Sequence, residues 1–312
     1  MSIALRKIIT ALLVAGPLVG TGYAVFASWG RFMGFTDLAL LIGLYVLIAM
    51  GVTVGFHRYL THGSFKTNRF LKAILTILGT MSLEGSPISW VANHRLHHAY
   101  ADRQGDLHSP HLSNNPVTGF IHAHFSWLFA DSQADPKYWA EDLGRDRMIV
   151  LISRYTILWW IIGLIIPYFI GGWSGLMWGG LVRVFLTHHV TWSVNSVCHI
   201  FGSRPFNTKD RSTNFWPVGL LAFGEGGHNT HHASPKSARH GLFWWHFDMS
   251  WVVIRMLEKT RLAQDVYVQE PVVLKQALRE RAAGVPVVLR RSLAGGPAEK
   301  TGEESGGRCE NR

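Results

Sequence analysis

Cysteine and charged residues are both scarce in this chain. Only Cys198 and Cys309 occur among the 312 residues, and they do not form a CxxC pair. This argues against a disulfide framework, a zinc ribbon or a built-in iron–sulfur cluster. Charged residues make up 16% of the chain and hydrophobic residues 48%. Because soluble domains carry about 25% charged residues, the composition favours a membrane protein.

Long apolar runs support this interpretation, since about 20 apolar residues are enough to cross a bilayer. Four runs predict spans at about residues 9–29, 38–56, 148–170 and 173–194. Only Gly171 and Gly172 separate the last two, so we expect these to form a tight antiparallel hairpin. The first run follows Arg6 and Lys7, so a cleaved signal peptide is the alternative there, but the run is long for that role.

Basic residues are concentrated in two parts of the chain, whose net charge is +10. Nine Lys or Arg lie between His57 and Arg147, and sixteen follow Ile200. The positive-inside rule explains this pattern without a nucleic-acid partner and places both parts, with the N-terminus, in the cytoplasm. The predicted division is one unit over residues 1–293, with a cytosolic cap at 57–147 and 195–293, and a disordered tail over 294–312.

Histidine is frequent, with 17 residues, and four histidine motifs lie on the predicted cytoplasmic side. We name them the HxxxxH pair, the central cluster, the Asn–His pair and the C-terminal cluster. In chain order their members are His57 and His62; His94, His97 and His98; Asn195 and His199; and His228, His231 and His232. The topology prediction did not use these residues, so their shared side is an independent indication of one site.

The spacing within these motifs suits metal ligation. A helix turns about 100° per residue, so residues i, i+3 and i+4 share one face. The members of each cluster would project together, while adjacent members diverge enough to reach two metals. His57 and His62 lie about 140° apart on a helix, which suits two metals or a helix that ends between them. Imidazole is the commonest metal ligand, and nine histidines fit two metals with four or five ligands each.

Carboxylates are expected to accept a hydrogen bond from the ring nitrogen that does not bind the metal and so to orient each imidazole. Glu225 and Asp106 are the candidates for this role. The other histidines lack the repeated spacing, and we interpret them as ordinary polar or interfacial residues. They are His108, His111, His122, His124, His188, His189, His240 and His246. Arg183 lies deep in the fourth apolar run, and the sequence offers no reason for its position.

These motifs resemble those of the membrane fatty acid desaturases, specifically a bacterial-like form of the Δ9 acyl-CoA (stearoyl-CoA type) branch. The matching segments are 51–62, 90–98, 191–199 and 224–232, in the order of the family. One HxxHH motif is weak evidence, whereas this ordered set is highly specific. The resemblance implies an all-α integral membrane fold, in which four transmembrane helices lie below a helical cytosolic cap that holds a dimetal site.

The resemblance also implies a di-iron (Fe²⁺) centre ligated by the nine clustered histidines, with Asn195 holding a water near one iron. The implied reaction uses O₂ to introduce a cis double bond, at Δ9, into a saturated fatty acyl chain. It would take place on the cytoplasmic face of a bacterial inner membrane. Trp90, Thr191 and Trp192 match positions at the bend of the acyl tunnel, and Glu84 stands where a tunnel glutamine is expected.

Acyl-CoA is the first candidate substrate that the resemblance suggests. However, Ala92-Asn93 and Ala130-Asp131 replace residues that include the basic groups facing CoA in the animal enzymes. An acyl-lipid substrate is therefore the alternative. The reaction needs two electrons, and the chain has no fused haem domain and no ferredoxin-type cysteines. A separate donor is implied, either a ferredoxin or a b-type cytochrome.

Two other functions use similar residues. A histidine-box hydroxylase or alkane monooxygenase would share the metal chemistry, but the Asn–His pair and the HxxxxH spacing argue against it. A membrane metal transporter should have ionisable ligands near the middle of the membrane. Here the ligands lie at helix ends on one side, which favours an enzyme.

Overall fold

The computed structural model describes residues 2–28 and 33–269, so the predicted disordered tail lies outside the described residues. Within these ranges the chain is mostly helical, which confirms the predicted helical class. Two short strands, β1 (Lys66–Thr67) and β2 (Ala263–Gln264), pair antiparallel. The α-helices are α1 Ile3–Ala27, α2 Phe35–Met50, α3 Arg69–Thr80, α4 Pro87–Tyr100, α5 Pro116–His124, α6 Pro136–Trp139, α7 Glu141–Gly144, α8 Arg147–Arg154, α9 Thr156–Gly175, α10 Arg183–Ser196, α11 Trp216–Leu221, α12 His228–Ala233 and α13 Met249–Lys259.

Three helical segments of the described chain are long and apolar enough to cross a membrane. They are Ile3–Ala27, Phe35–Thr61 and Thr156–His199. The second consists of α2 and a π-helical continuation over Gly51–Thr61. The third joins α9 and α10 through π-helical Leu176–Val182 and ends in a 3₁₀ turn at Val197–His199.

The third segment reverses direction at Gly172, whose φ of 61° lies in the left-handed region that glycine adopts readily. After this turn, Arg183 Nη2 donates to Gly163 O at 2.9 Å, so the two arms run antiparallel as a hairpin. The first arm begins at Thr156 rather than at the predicted residue 148. The helix is interrupted at Tyr155, and α8 before it is a separate helix. The prediction of four spans remains a prediction.

Glycines let the π-helical segment Gly51–Thr61 approach α3 closely. A Cβ atom on Gly51 would lie 2.2 Å from Gly79 N, and one on Gly55 would lie 2.8 Å from Leu75 O. Side chains other than hydrogen would therefore push the two helices apart. This close packing fixes the segment that carries the HxxxxH pair.

The π-helical geometry also changes the prediction for the HxxxxH pair. Hydrogen bonds in a π-helix join residues i and i+5, and here His62 N donates to His57 O at 3.2 Å. The two rings lie one turn apart on the same side, with centroids separated by 4.9 Å. The predicted divergence of about 140° is wrong, because it assumed α-helical rotation.

The elements that carry the histidines pack against one another through buried apolar side chains. Phe56 of the π-helical segment, Val91 and Ala92 of α4 and Ile149 of α8 belong to one buried cluster. Burying each large side chain stabilises the fold by about 2 kcal/mol. The positions of the HxxxxH pair and the central cluster relative to each other are therefore set by this buried cluster.

Candidate metal centre

Nine imidazoles from four separate parts of the chain converge in one region of the structure. They form two groups, and within each group the candidate ligand atoms lie within 4.8 Å of one another. The five-histidine group contains His57, His62, His94, His98 and His231. The four-histidine group contains His97, His199, His228 and His232. All nine residues predicted from the motifs are thus brought together.

The helical spacing explains how neighbours are divided between the groups. In α4, His94 and His98 are one turn apart and join the five-histidine group, whereas adjacent His97 points to the four-histidine group. In α12, His228 and His232 share the four-histidine group. His97 and His231, each adjacent in the sequence to one member of these pairs, lie about 100° around their helices and therefore face the other group.

The Nε2 atoms within each group point at one another. His94 Nε2 lies 3.0 Å from His98 Nε2, which lies 3.0 Å from His231 Nε2. In the four-histidine group, the Nε2 atoms of His199 and His228 are 3.0 Å apart. Neutral imidazoles cannot satisfy all of these nitrogens with one another, because each ring has one donor and one acceptor.

Several ring nitrogens have no partner at all among the described residues. The buried Nε2 atoms of His62, His97 and His232 form no hydrogen bond. Leaving buried polar atoms unpaired is costly, and a cation within each group would satisfy these lone pairs. The residues therefore fit two metal ions, one for each group.

Carboxylates contact the Nδ1 atoms of four of these rings, whose Nε2 atoms face the centres of the two groups. Glu225 Oε2 lies 2.7 Å from His57 Nδ1, and Asp106 Oδ1 lies 3.0 Å from His97 Nδ1. Both residues were predicted for this role. A carboxylate acceptor places the proton of each ring on Nδ1, which leaves the Nε2 lone pair free for a metal.

Two further carboxylates with the same role were missed in the sequence. Asp102 Oδ2 lies 2.8 Å from His199 Nδ1, and Asp210 Oδ2 lies 3.0 Å from His232 Nδ1. Asp102 has a φ of 58°, a conformation that Asp tolerates better than most residues. Neither acid has a fixed spacing to the ring it contacts, so only the folded loops reveal them.

The rings hold these acids in their charged form. Burial alone would raise the pKa of Asp102, but hydrogen bonds from His199, Ser109 and the Arg211 backbone outweigh it and lower the pKa well below its usual range. Burial also raises the pKa of Asp210, and His232 and Ser212 more than reverse that effect. Burial lowers the pKa of the ring in His94 and in His98, so both are neutral and ready to bind metal at neutral pH.

Glu225 is part of a larger buried charge network. Arg58 Nη2 lies 3.1 Å from Glu225 Oε1 and 2.8 Å from Asp248 Oδ1, and its side chain is 0% exposed. His240 Nδ1 lies 3.2 Å from Glu225 Oε2, so this histidine is more than an ordinary polar residue. Burial raises the pKa of Glu225, but Arg58 and His57 lower it well below its usual range.

Replacing Arg58 by leucine should strongly destabilise the fold, because Glu225 and Asp248 would stay buried without their cation. Breaking a buried pair in this way costs about 3–5 kcal/mol. Thermal unfolding of the purified protein in detergent would measure the change. Arg145→Leu is the control, since its pair with Glu141 is exposed and should matter little. Equal unfolding temperatures for the two variants would contradict this prediction.

Two cavities meet beside the rings, at Trp90, His94, Thr191 and Asn195. The larger, of about 750 Å³, extends between α1 and the start of α9. The smaller, of about 50 Å³, runs between α2 and α10 as far as Tyr45. The two cavities therefore adjoin each other beside His94 of the five-histidine group.

Of the predicted tunnel residues, Trp90 and Thr191 lie at the junction of these cavities, and Glu84 and Trp192 line the larger one. The Trp90 indole stacks on His94 with ring centroids 5.1 Å apart and donates from Nε1 to Glu84 Oε2 at 2.9 Å. Thr191 lines both cavities, and Trp192 lines the larger one. Asn195 lines both cavities beside His94, close to the rings but without a hydrogen bond to them.

Arg183 has a structural role that the sequence did not reveal. Its guanidinium donates to three carbonyl oxygens, those of Gly179, Gly163 and Met81, at 3.1, 2.9 and 2.9 Å. His188 Nε2 lies 2.9 Å from Ser82 O in the same loop. The hairpin thus fixes the loop that leads into Glu84.

Comparison with known proteins identifies the family. A model described as fatty acid desaturase matches residues 32–266. The chain belongs to the fatty acid desaturase family. This confirms the prediction drawn from the ordered histidine motifs.

The names of three similar proteins give acyl substrates on three different carriers. The sn-1 stearoyl-lipid 9-desaturase of Anabaena variabilis is 42% identical over 242 residues, 77% of this chain and 85% of that protein. The hex-5-enoyl-[acyl-carrier protein] acetylenase of Moorena producens (strain JHB) is 40% identical over 265 residues, 80% and 83% of the two chains. The acyl-CoA C20 Delta5-desaturase of Anemone leveillei is 40% identical over 250 residues, 77% and 75%. These relationships support an oxidoreductase that acts on fatty acyl groups.

Proposed function

We propose that this protein is an oxygen-dependent desaturase that introduces a cis double bond, at Δ9, into a saturated fatty acyl chain. The observation that carries the proposal is the position of the two histidine groups beside two adjoining, mainly apolar cavities, which we take as the acyl path. One O₂, two electrons and two protons convert one CH₂–CH₂ unit to CH=CH and release two molecules of water. The site would work at the cytoplasmic face of a bacterial inner membrane.

Two iron ions are the proposed cofactor, one in each histidine group. When bound, they would supply the oxidising power that removes hydrogen from unactivated CH₂ groups, which no side chain can do. The nine imidazoles would be their ligands, and Asn195 would hold a water near one of them. Imidazole also suits zinc and copper, so iron is inferred from the chemistry of the family rather than from the ligands.

The residues around the path have the task of positioning the acyl chain. Trp90 and Thr191 form the junction where the path bends, so they would set which carbons approach the metals. Tyr45, whose hydroxyl donates to Leu221 O at 2.8 Å, lines the far part of the smaller cavity. Apolar walls keep the site dry, which limits side reactions of the oxidant.

We further propose that the substrate is the acyl chain of a membrane lipid rather than of acyl-CoA. The larger cavity is lined by Ile9 and Leu13 of α1 and by Ile157 and Trp160 of α9, helices that are apolar enough to span a membrane. At the other wall, Asn93 donates to Gln133 and accepts from Ala134 N, which places a neutral amide there. A lipid-embedded acyl chain could enter from the side of the membrane.

The carrier can be tested with one acyl chain in three forms. Purified protein in nanodiscs would receive labelled stearate as the CoA thioester, as the acyl-carrier-protein thioester and as a glycerolipid. We expect an unsaturated product from the glycerolipid, identified by mass spectrometry. Turnover of the CoA thioester alone would reject the lipid substrate but keep the desaturase. Hydroxylated products would favour the oxidase alternative, and metal uptake with unchanged lipids would favour a transporter.

Glu84 makes the acyl path sensitive to pH. Burial raises the pKa of Glu84 to about 7, although hydrogen bonds from Trp90 and Thr191 oppose this rise. The folded protein therefore keeps the Glu84 proton up to about pH 7, whereas free glutamate loses it near pH 4.5. The stability that this proton contributes is lost as the pH rises from about 4.5 to about 7. A charged carboxylate in an apolar path also disfavours the acyl chain.

We expect the KM for the acyl substrate to rise above pH 7, by up to about tenfold per pH unit. The Glu84→Gln variant should remove this dependence, because its amide cannot ionise and can still accept from Trp90. Initial rates at several substrate concentrations between pH 6 and pH 9 would show the difference. Identical pH profiles for the two proteins would contradict the assignment of the pH effect to Glu84.

A further inference from the structure

The two histidine groups differ in their connection to the surface of the cap. In the four-histidine group, three of the four rings contact an aspartate through Nδ1: His97, His199 and His232. In the five-histidine group, His57 is the only ring that contacts a carboxylate from the described part of the chain, and that acid, Glu225, is covered by Arg58. The four-histidine group is thus the one linked to outer loops of the cap.

The most direct of these links passes through Asp210. Its side chain is 11% exposed, and it contacts His232, which is 2% exposed. The loop around it is held by Arg204 Nη2, which donates to Asp210 O at 2.6 Å. A hydrogen-bonded carboxylate and one imidazole therefore separate the surface from the centre of the four-histidine group.

The surface around this point carries unpaired positive charge. Three exposed basic residues, Arg103, Lys209 and Arg211, which we call the basic rim, lie next to Asp102 and Asp210 in the sequence. Their loops are in contact, since Arg211 N donates to Asp102 Oδ2 at 2.7 Å. No member of the basic rim forms an ion pair with an acid in the described residues.

We propose that the basic rim is the docking site of an acidic one-electron carrier protein, whose electrons enter the four-histidine group through Asp210 and His232. This inference rests on the proposed function, since each turnover of a desaturase consumes two electrons that must come from outside the chain. Two reduced carriers would each deliver one electron and leave oxidised. Complementary charges would guide the carrier to the rim and speed its association.

The test compares two double variants in the full-length protein in nanodiscs. Lys209→Glu with Arg211→Glu reverses the charge of the basic rim, while the backbone amide of residue 211 can still donate to Asp102. Lys137→Glu with Arg147→Glu is the matched control, because these residues are also exposed and without an acidic partner in the described chain. The probes are a plant-type ferredoxin and the soluble domain of a cytochrome b5.

We expect at least one probe to bind the unchanged protein, with an affinity that falls as salt increases. Reversal at the rim should weaken this binding by about tenfold or more, whereas the control pair should leave it nearly unchanged. Each protein would also be reduced with dithionite without air, freed of the excess and then given O₂, and the amount of product from this dithionite-driven turnover should be the same in all three proteins. Which probe binds would identify the class of carrier.

Equal weakening in both double variants would overturn the proposal, because it would show a general effect of charge. Binding of neither probe to the unchanged protein, or unaltered binding after reversal at the rim, would overturn it as well. If the unchanged protein formed no product after reduction with dithionite, that result would instead count against the proposed function. Failure of the docking proposal and failure of the proposed function can therefore be told apart.

Discussion

Replacement of His231 by alanine is expected to abolish double-bond formation while the protein still inserts into membranes. His231 Nε2 lies 3.1 Å from His57 Nε2 and 3.0 Å from His98 Nε2, at the centre of the five-histidine group. Even the loss of a residue that hydrogen-bonds to a metal ligand reduces metal affinity or activity by about 10–100-fold. Removing a ligand should therefore cost at least about 100-fold in activity.

His97→Ala should have the same effect through the four-histidine group. His246→Ala is the control, since its ring lies in the loop before α13, outside both groups. Gas chromatography with mass spectrometry of lipids from an expressing host would compare the products, and immunoblots of the membrane fraction would compare the amounts of protein. Unsaturated product at the unchanged level in His231→Ala or His97→Ala would remove the metal assignment.

Replacement of Asp102 by asparagine is expected to weaken one metal site and spare the other. Asp102 contacts His199 of the four-histidine group and none of the rings of the five-histidine group. Asparagine can still accept one hydrogen bond but carries no charge, so the His199 ring becomes a poorer ligand. The affinity of the four-histidine group for metal should fall by about 10–100-fold.

Titration of the metal-free protein with Co²⁺, followed by its absorption spectrum, would measure both sites directly. At limiting free metal the unchanged protein should bind two ions and Asp102→Asn only one. Glu141→Gln is the control, because that exposed carboxylate pairs with the exposed Arg145 and contacts none of the nine rings. Two ions bound with unchanged affinity in Asp102→Asn would show that Asp102 does not tune the metal site.

The sequence predicts those parts of the site that depend on local spacing. His94, His97 and His98 occupy one α-helix, so their directions follow from a rotation of about 100° per residue. The reversal within α9 follows from the local pair Gly171-Gly172. These features need no knowledge of the rest of the chain.

Other features depend on contacts between distant segments, which no local pattern encodes. Asp102 and His199 are far apart in the chain and meet only after the chain folds. The direction of His57 depends on a π-helix, which forms where glycines allow α3 to approach. Arg183 looked unexplained because its partners are backbone carbonyl oxygens, and backbone groups leave no signal in the sequence.

Iron K-edge X-ray absorption of the purified protein, on a sample of known iron content, tests the proposed centre most directly. We expect two iron ions per chain, each surrounded by nitrogen or oxygen, with four or five imidazoles per ion as the two groups provide. A single iron per chain, or an iron environment with one or two imidazoles, would contradict the assignment of the nine histidines to a dimetal site.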